Sequence, residues 1–82
     1  VFYVYIAQCR DGSLYTGFAL DAERRIAQHN LGRGGKYTRS RLPVELKYCE
    51  AYDTKREALR REAEIKKLPR EKKLRLIGET VR

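Results

Sequence analysis

The chain has 82 residues, with 19 Lys+Arg against 11 Asp+Glu and a formal charge of +8. That leaves room for one small domain and excludes a second independent one. The positive balance favours a polyanionic partner, nucleic acid being the commonest, and works against a free cationic ligand. Cys9 and Cys49 lie far apart, with no second pair for a zinc site and no CxxC for a redox centre. Two reduced core thiols are expected, a single bridge between them being the alternative. No apolar run is long enough to cross a bilayer and no charged leader is visible, so a cytoplasmic location with no membrane partner is expected.

Residues 1–8 (VFYVYIAQ) have the β-branched and aromatic composition of a buried strand. An Asp11-Gly12 turn signal follows, and Ser13–Ala19 reads as a second strand closing a hairpin. Asp21 is placed to cap a short helix over 21–30, with Ala22 and Ile26 on one face. Gly32, Gly34 and Gly35 interrupt any helix, and Gly32–Arg41 carries four basic residues and no acid, so this stretch reads as a loop. After Pro43, the alternation in VELKYCEAY puts Val44, Leu46, Tyr48 and Glu50 on one face of a third strand. Thr54 and Glu57 form a capping box for a helix that Pro69 ends, and 70–78 makes a final short helix using Leu74 and Ile77. The order β-β-α-β-α-α predicts an α+β fold, a small three-stranded antiparallel sheet flanked by helices.

The helix after Thr54 has an apolar stripe of Ala58, Leu59, Ala63, Ile65 and Leu68, with Glu62 near its centre and Glu57 and Glu64 opposite. An inward carboxylate is paired, hydrogen-bonded or metal-bound, because an isolated buried charge is costly. A salt bridge to an arginine and a metal or catalytic role both fit that pattern. On the first helix Arg25 and His29 emerge on one face. The single histidine could equally be a surface or capping residue, and Arg25 a solvated charge. Tyr3 and Tyr5 share a face of the first strand, and Tyr15 and Gly17 share a face of the second. Gly17 inside a strand suggests either a bulge or the close approach of backbone or ligand. The segment Arg33–Arg41, with Arg33, Lys36, Tyr37, Arg39 and Arg41, combines phosphate-binding cations with an aromatic ring for base stacking; a solvated charged loop is the plainer reading.

Taken together, Tyr3-Val4-Tyr5, Tyr15-Thr16-Gly17, Arg25, His29 and Glu62 resemble, in order and spacing, the GIY-YIG nuclease module. YTGFALDAERRIAQHN and GGKYTRSRLPVEL are similar to small stand-alone bacterial members and to nucleases of branched DNA. The tripeptides read YVY and YTG, both keeping the tyrosine. The only asparagine, Asn30, follows His29 directly and has no counterpart in the asparagine many members carry near the end of the module.

The resemblance implies a single nuclease domain over 1–82 that hydrolyses a DNA phosphodiester with one divalent ion, Mg²⁺ or Mn²⁺, and no small-molecule cofactor. Glu62 is then the metal ligand, Tyr5 the general base with His29 as its proton partner, Arg25 the stabiliser of transition-state charge and Tyr15 the group orienting the phosphate. A phenol ionises near ~10, so the base role asks its neighbours to lower that value. Single-stranded DNA is the leading substrate and branched or flapped DNA the next. The alternative is a non-catalytic nucleic-acid-binding module on the same fold.

Overall fold

The computed structural model describes residues 1–78. Strand β1 (Phe2–Gln8) runs down the middle of an antiparallel sheet of order β2-β1-β3, between β2 (Leu14–Ala19) and β3 (Glu45–Tyr52). Being central, β1 is covered on both faces, which is why Val4, Tyr5, Ile6 and Ala7 form an unbroken buried run instead of an alternation. The Asp-Gly turn forms as its sequence demands. Gly12 takes φ +88°, and the Asp11 carboxylate accepts from the Ser13 backbone N–H at 3.0 Å and from its hydroxyl at 2.6 Å.

Helix α1 (Ala22–Asn30) covers one face of the sheet. Its cap is Asp21, which accepts from the Arg24 N–H at 3.1 Å. Ala22 and Ile26 pack with Tyr5, Ala7, Cys9 and Val44. Helix α3 (Lys55–Lys66) covers the other face and packs Ala58 and Ile65 on Val4 and Ile6, with Leu76 and Ile77 of α4 (Arg70–Ile77) closing the cluster. At its start Thr54 accepts from the Glu57 N–H at 3.2 Å and donates its hydroxyl proton to the Glu57 carboxylate at 3.1 Å.

Several details differ from the sequence pattern. The glycine-rich loop contains a short helix, α2 (Lys36–Arg39), whose Thr38 is buried while Lys36, Tyr37 and Arg39 face solvent. Val44, Leu46, Tyr48 and Glu50 do not share one face. Ile6 pairs with Tyr48 and Ala7 with Leu46, so Lys47 is an extra residue in β3. This bulge re-phases the strand. Val44 and Leu46 join the α1 cluster, and Tyr48 and Tyr52 join the α3 cluster. On α3 the inward line runs through Ala58, Glu62 and Ile65, while Leu59 (41 % exposed) and Ala63 face solvent. Both cysteines are free thiols, and only Cys9 is buried.

Gly17 stands opposite Tyr5 across β1 and β2, and what approaches it is the Tyr5 ring. A Cβ built on Gly17 would overlap the Tyr5 hydroxyl and ring carbons. Gly17→Ala is therefore expected to lower unfolding free energy by about 1–3 kcal/mol, the usual cost of overpacking a core. Urea denaturation checks it, and wild-type stability in this variant would refute the close approach.

Candidate active site

Four elements bring the five sequence-predicted residues toward one place. β1 carries Tyr5, β2 Tyr15, α1 both Arg25 and His29, and α3 Glu62. At the centre are Tyr5 (1 % exposed) and His29 (0 %), joined by a hydrogen bond of 3.1 Å between the phenol oxygen and Nε2. The Tyr15 ring centroid lies 5.3 Å from that of His29, edge to face, and 6.3 Å from that of Tyr5. Arg25 holds the Gln28 side-chain oxygen and the Gly34 carbonyl, each at 3.2 Å. Tyr15, Arg25 and Glu62 are all close enough to act electrostatically on the Tyr5 phenol.

The resting electrostatics run against a free phenolate. Burial and the neighbouring Tyr15 push Tyr5 up to about 12; the Arg25 guanidinium works in the opposite direction and Glu62 adds to the rise. The neighbours thus raise this phenol, where the base role asks for it to be lowered. Burial first and Arg25 second push His29 below its ordinary value. At neutral pH the pair is therefore a neutral phenol beside a neutral imidazole. Tyr5 becomes a proton acceptor only by passing its own proton on, and His29 is the base in contact with it.

Glu62 sits at the edge of this cluster, its side chain 18 % exposed and its carboxylate 3.3 Å from the more exposed Lys66 ammonium. The arginine on its own helix that does make a half-buried pair is Arg61, which takes Glu50. Arg61 reaches both Glu50 oxygens at 3.0–3.2 Å, and the Tyr48 and Tyr52 hydroxyls donate to the same carboxylate. Burial alone would raise the Glu50 carboxyl; the bonds from Arg61 and the two phenols hold it below its usual range. No spacing in the sequence singles out the Arg61–Glu50 pair, so this clamp is visible only in the fold.

The basic segment abuts the site directly. Tyr37 stacks on Tyr15 at 5.9 Å, and the Arg41 guanidinium lies 4.0 Å from the Tyr37 centroid. Arg41 also donates to the Tyr37 carbonyl at 2.7 Å and pairs with Asp11 at 3.3 Å. Arg33, Lys36 and Arg39 are exposed and make no ion pair among the described residues. Inside the same segment Thr38 Oγ1 lies 2.8 Å from His29 Nδ1, a contact that no periodicity in the sequence signals. Asn30 stands apart from the cluster: its amide donates to the Val44 carbonyl and accepts from the Val44 N–H, tying the end of α1 to the approach to β3.

Known proteins resemble this chain along most of its length. The family model described as the GIY-YIG catalytic domain matches residues 1–75. The chain is 61 % identical over 77 residues to a UPF0213 protein of Staphylococcus saprophyticus, covering 94 % of each chain. It is 60 % identical to a UPF0213 protein of Staphylococcus aureus over the same share. Among solved structures, the solution NMR structure of a Bacillus halodurans UPF0213 protein matches with a TM-score of 0.61 at 49 % identity, over 94 % of this chain and 82 % of that one. A solution NMR structure of an E. faecalis protein matches with a TM-score of 0.61 at 40 % identity, over 95 % and 83 %.

His29 is the only histidine, so its ring can be titrated by NMR without ambiguity. The midpoint is expected below 6.5, the ordinary value from which burial lowers it. On acidification the unfolded chain then takes up this proton before the folded one. The His29 contribution to stability is full above about 6.5 and is lost as pH falls from there through the folded value. A midpoint at or above 6.5 would contradict the buried, neutral imidazole.

Proposed function

The chain belongs to the GIY-YIG family, a family of nucleases, and on that footing we propose that it is a metal-dependent endonuclease that hydrolyses DNA phosphodiesters. The observation that carries this reading is the buried Tyr5–His29 pair with Tyr15, Arg25 and Glu62 gathered around it. These are the side chains the reaction requires, brought from four separate elements.

The donor chemistry suits Mg²⁺ or Mn²⁺. Among the described residues no three His, Cys, Asp or Glu side chains cluster, so Glu62 would hold such an ion as its one protein ligand. Hard, oxygen-seeking cations that keep several waters suit a lone carboxylate. When bound, the ion would supply Lewis-acid stabilisation of phosphate charge.

The chain's own residues do the rest. As water attacks phosphorus, the Tyr5 oxygen takes a proton from it and the Tyr5 proton passes to His29 Nε2. The pair ends as phenol and imidazolium, one proton richer than it began. Arg25, next to Tyr5, stabilises the charge that accumulates on the phosphoryl oxygens, and the Tyr15 hydroxyl orients the phosphate. The basic, aromatic face of Arg33, Lys36, Tyr37, Arg39 and Arg41 tracks the DNA backbone. Its three exposed cations and the 41 % exposed Tyr37 ring favour a single strand as substrate, with branched or flapped DNA second.

The test is cleavage of labelled single-stranded, duplex and branched DNA with Mg²⁺ or Mn²⁺. Arg25→Ala and Glu62→Ala are each expected to lose on the order of 10²-fold or more in rate. Salt-sensitive binding should persist in both. Wild type that cuts no faster than Glu62→Ala, while still binding, would leave the non-catalytic binding module as the reading.

A further inference from the structure

The contact between Thr38 and His29 has no part in the residue set above, yet it decides which nitrogen of the imidazole carries the proton. We propose that Thr38 is a positioning residue that holds His29 in the Nδ1–H tautomer, keeping Nε2 free to receive the Tyr5 proton. This rests on the nuclease reading of the same site.

The assignment follows from counting donors and acceptors. Three contacts run in series: Tyr5 hydroxyl to His29 Nε2 at 3.1 Å, His29 Nδ1 to Thr38 Oγ1 at 2.8 Å, and Thr38 Oγ1 to the Gly35 carbonyl at 3.4 Å. A carbonyl oxygen only accepts, so the last contact is a hydrogen bond only if the Thr38 hydroxyl proton points at Gly35. The Thr38 oxygen then presents a lone pair to Nδ1, which must carry the imidazole proton. Nε2 is left as an acceptor, and the Tyr5 hydroxyl donates to it. Three protons meet three acceptors.

The reverse direction leaves groups unserved. If Thr38 donated to Nδ1, Nε2–H would donate to the Tyr5 oxygen. The Tyr5 proton would then need another acceptor inside the core; among the described residues the hydroxyl reaches no acceptor but His29, and the neighbouring Arg25 guanidinium carries donors only. The Gly35 carbonyl would keep its bond from the Arg39 N–H but lose the one from Thr38. Leaving a buried hydroxyl proton without a partner is the more costly arrangement.

Backbone geometry holds Thr38 where this requires. A Cβ on Gly34 would overlap His29 Nδ1 and the ring carbons beside it, so the chain lies directly on the ring edge that carries the Thr38 contact. Arg25 fixes the Gly34 carbonyl at 3.2 Å, and the Arg39 N–H donates to the Gly35 carbonyl at 3.0 Å, closing the single turn of α2. Thr38 is 1 % exposed, so water does not replace its hydroxyl at the ring. The proton then has one route: from Tyr5 to Nε2, giving an imidazolium whose Nδ1–H stays on Thr38.

The test reads the tautomer and the rate separately. In ¹⁵N-labelled wild type near pH 7.5, long-range ¹H–¹⁵N spectra of the lone histidine should show a protonated Nδ1 and an unprotonated Nε2. Thr38→Ser, which keeps the hydroxyl, should retain that pattern and most of the cleavage rate. Thr38→Val, near in shape but without the hydroxyl, should shift His29 toward the Nε2–H form and slow cleavage by roughly 10²-fold, the usual scale of a lost general base. A wild type with protonated Nε2 overturns the proposal whatever the cleavage assays show. A folded Thr38→Val that keeps both the wild-type tautomer and the wild-type rate overturns it too. Should wild type not cut DNA at all, the nuclease reading falls on that result, while the wild-type tautomer still decides the role of Thr38.

Discussion

Tyr5 and His29 form one buried polar contact in the middle of the sheet-to-helix interface, and most of the site's geometry is a consequence of accommodating it. Without this contact the Tyr5 hydroxyl and His29 Nε2 would lose their partner in the core, at a cost of about 1–3 kcal/mol. Their rings also need space that ordinary side chains would occupy. Gly17 on the neighbouring strand and Gly34 beyond α1 are the two positions where that space is made. The contact fastens the end of α1 to the central strand, and the same turn of α1 delivers Arg25 to the Tyr5 hydroxyl. Stability and the proposed chemistry thus draw on the same few atoms.

The opposite face of the sheet solves a different problem. Helix α3 buries only Ala58 and Ile65 fully, too narrow an apolar stripe to fix its rotation by packing alone. The Glu50 carboxylate supplies the missing specification. It takes Arg61 from α3 and two tyrosine hydroxyls from its own strand, so every acceptor site faces a donor. Glu62 is the next residue, and its direction follows from where Arg61 is held. The bulge at Lys47 is what turns Tyr48, Glu50 and Tyr52 toward α3 while leaving Leu46 on the α1 side. One inserted residue therefore sets the face on which this anchor is built.

Much of this is legible in the sequence, for reasons that are local. The Asp11-Gly12 turn and the Asp21 and Thr54 caps depend on side chains bonding to backbone two or three residues away, and all three form as their residue types require. The inward direction of Glu62 agrees with helical periodicity. The Leu59 and Ala63 positions do not, because a helix rich in long charged side chains has no sharp apolar boundary and the Arg61–Glu50 pair chooses its rotation. Helix α2 and Thr38 are equally hidden. A single turn carries no periodicity, and glycines that read as helix breakers stand here for close approach to the His29 ring. The bulge escapes because strict alternation from Val44 to Glu50 looks like an uninterrupted strand. What is set by contacts between distant residues could not be read from spacing within one segment.

The electrostatics of the pair depend on its neighbours. With burial pushing Tyr5 up to about 12 and His29 below its ordinary value, the transferred form, phenolate beside imidazolium, is disfavoured against the neutral pair. Proton transfer is therefore off until the charge around Tyr5 changes. Two charges bear on it from opposite directions: Arg25 lowers the phenol, and Glu62 raises it. Cationic charge gathered at Glu62 would cancel the second and act alongside the first. Lys66 already sits 3.3 Å from that carboxylate, but more than half exposed, where solvent screens it. On the proposed function, a cation held at Glu62 would therefore favour proton transfer within the pair. Burial, which raises Tyr5, also keeps water from screening charge placed near it.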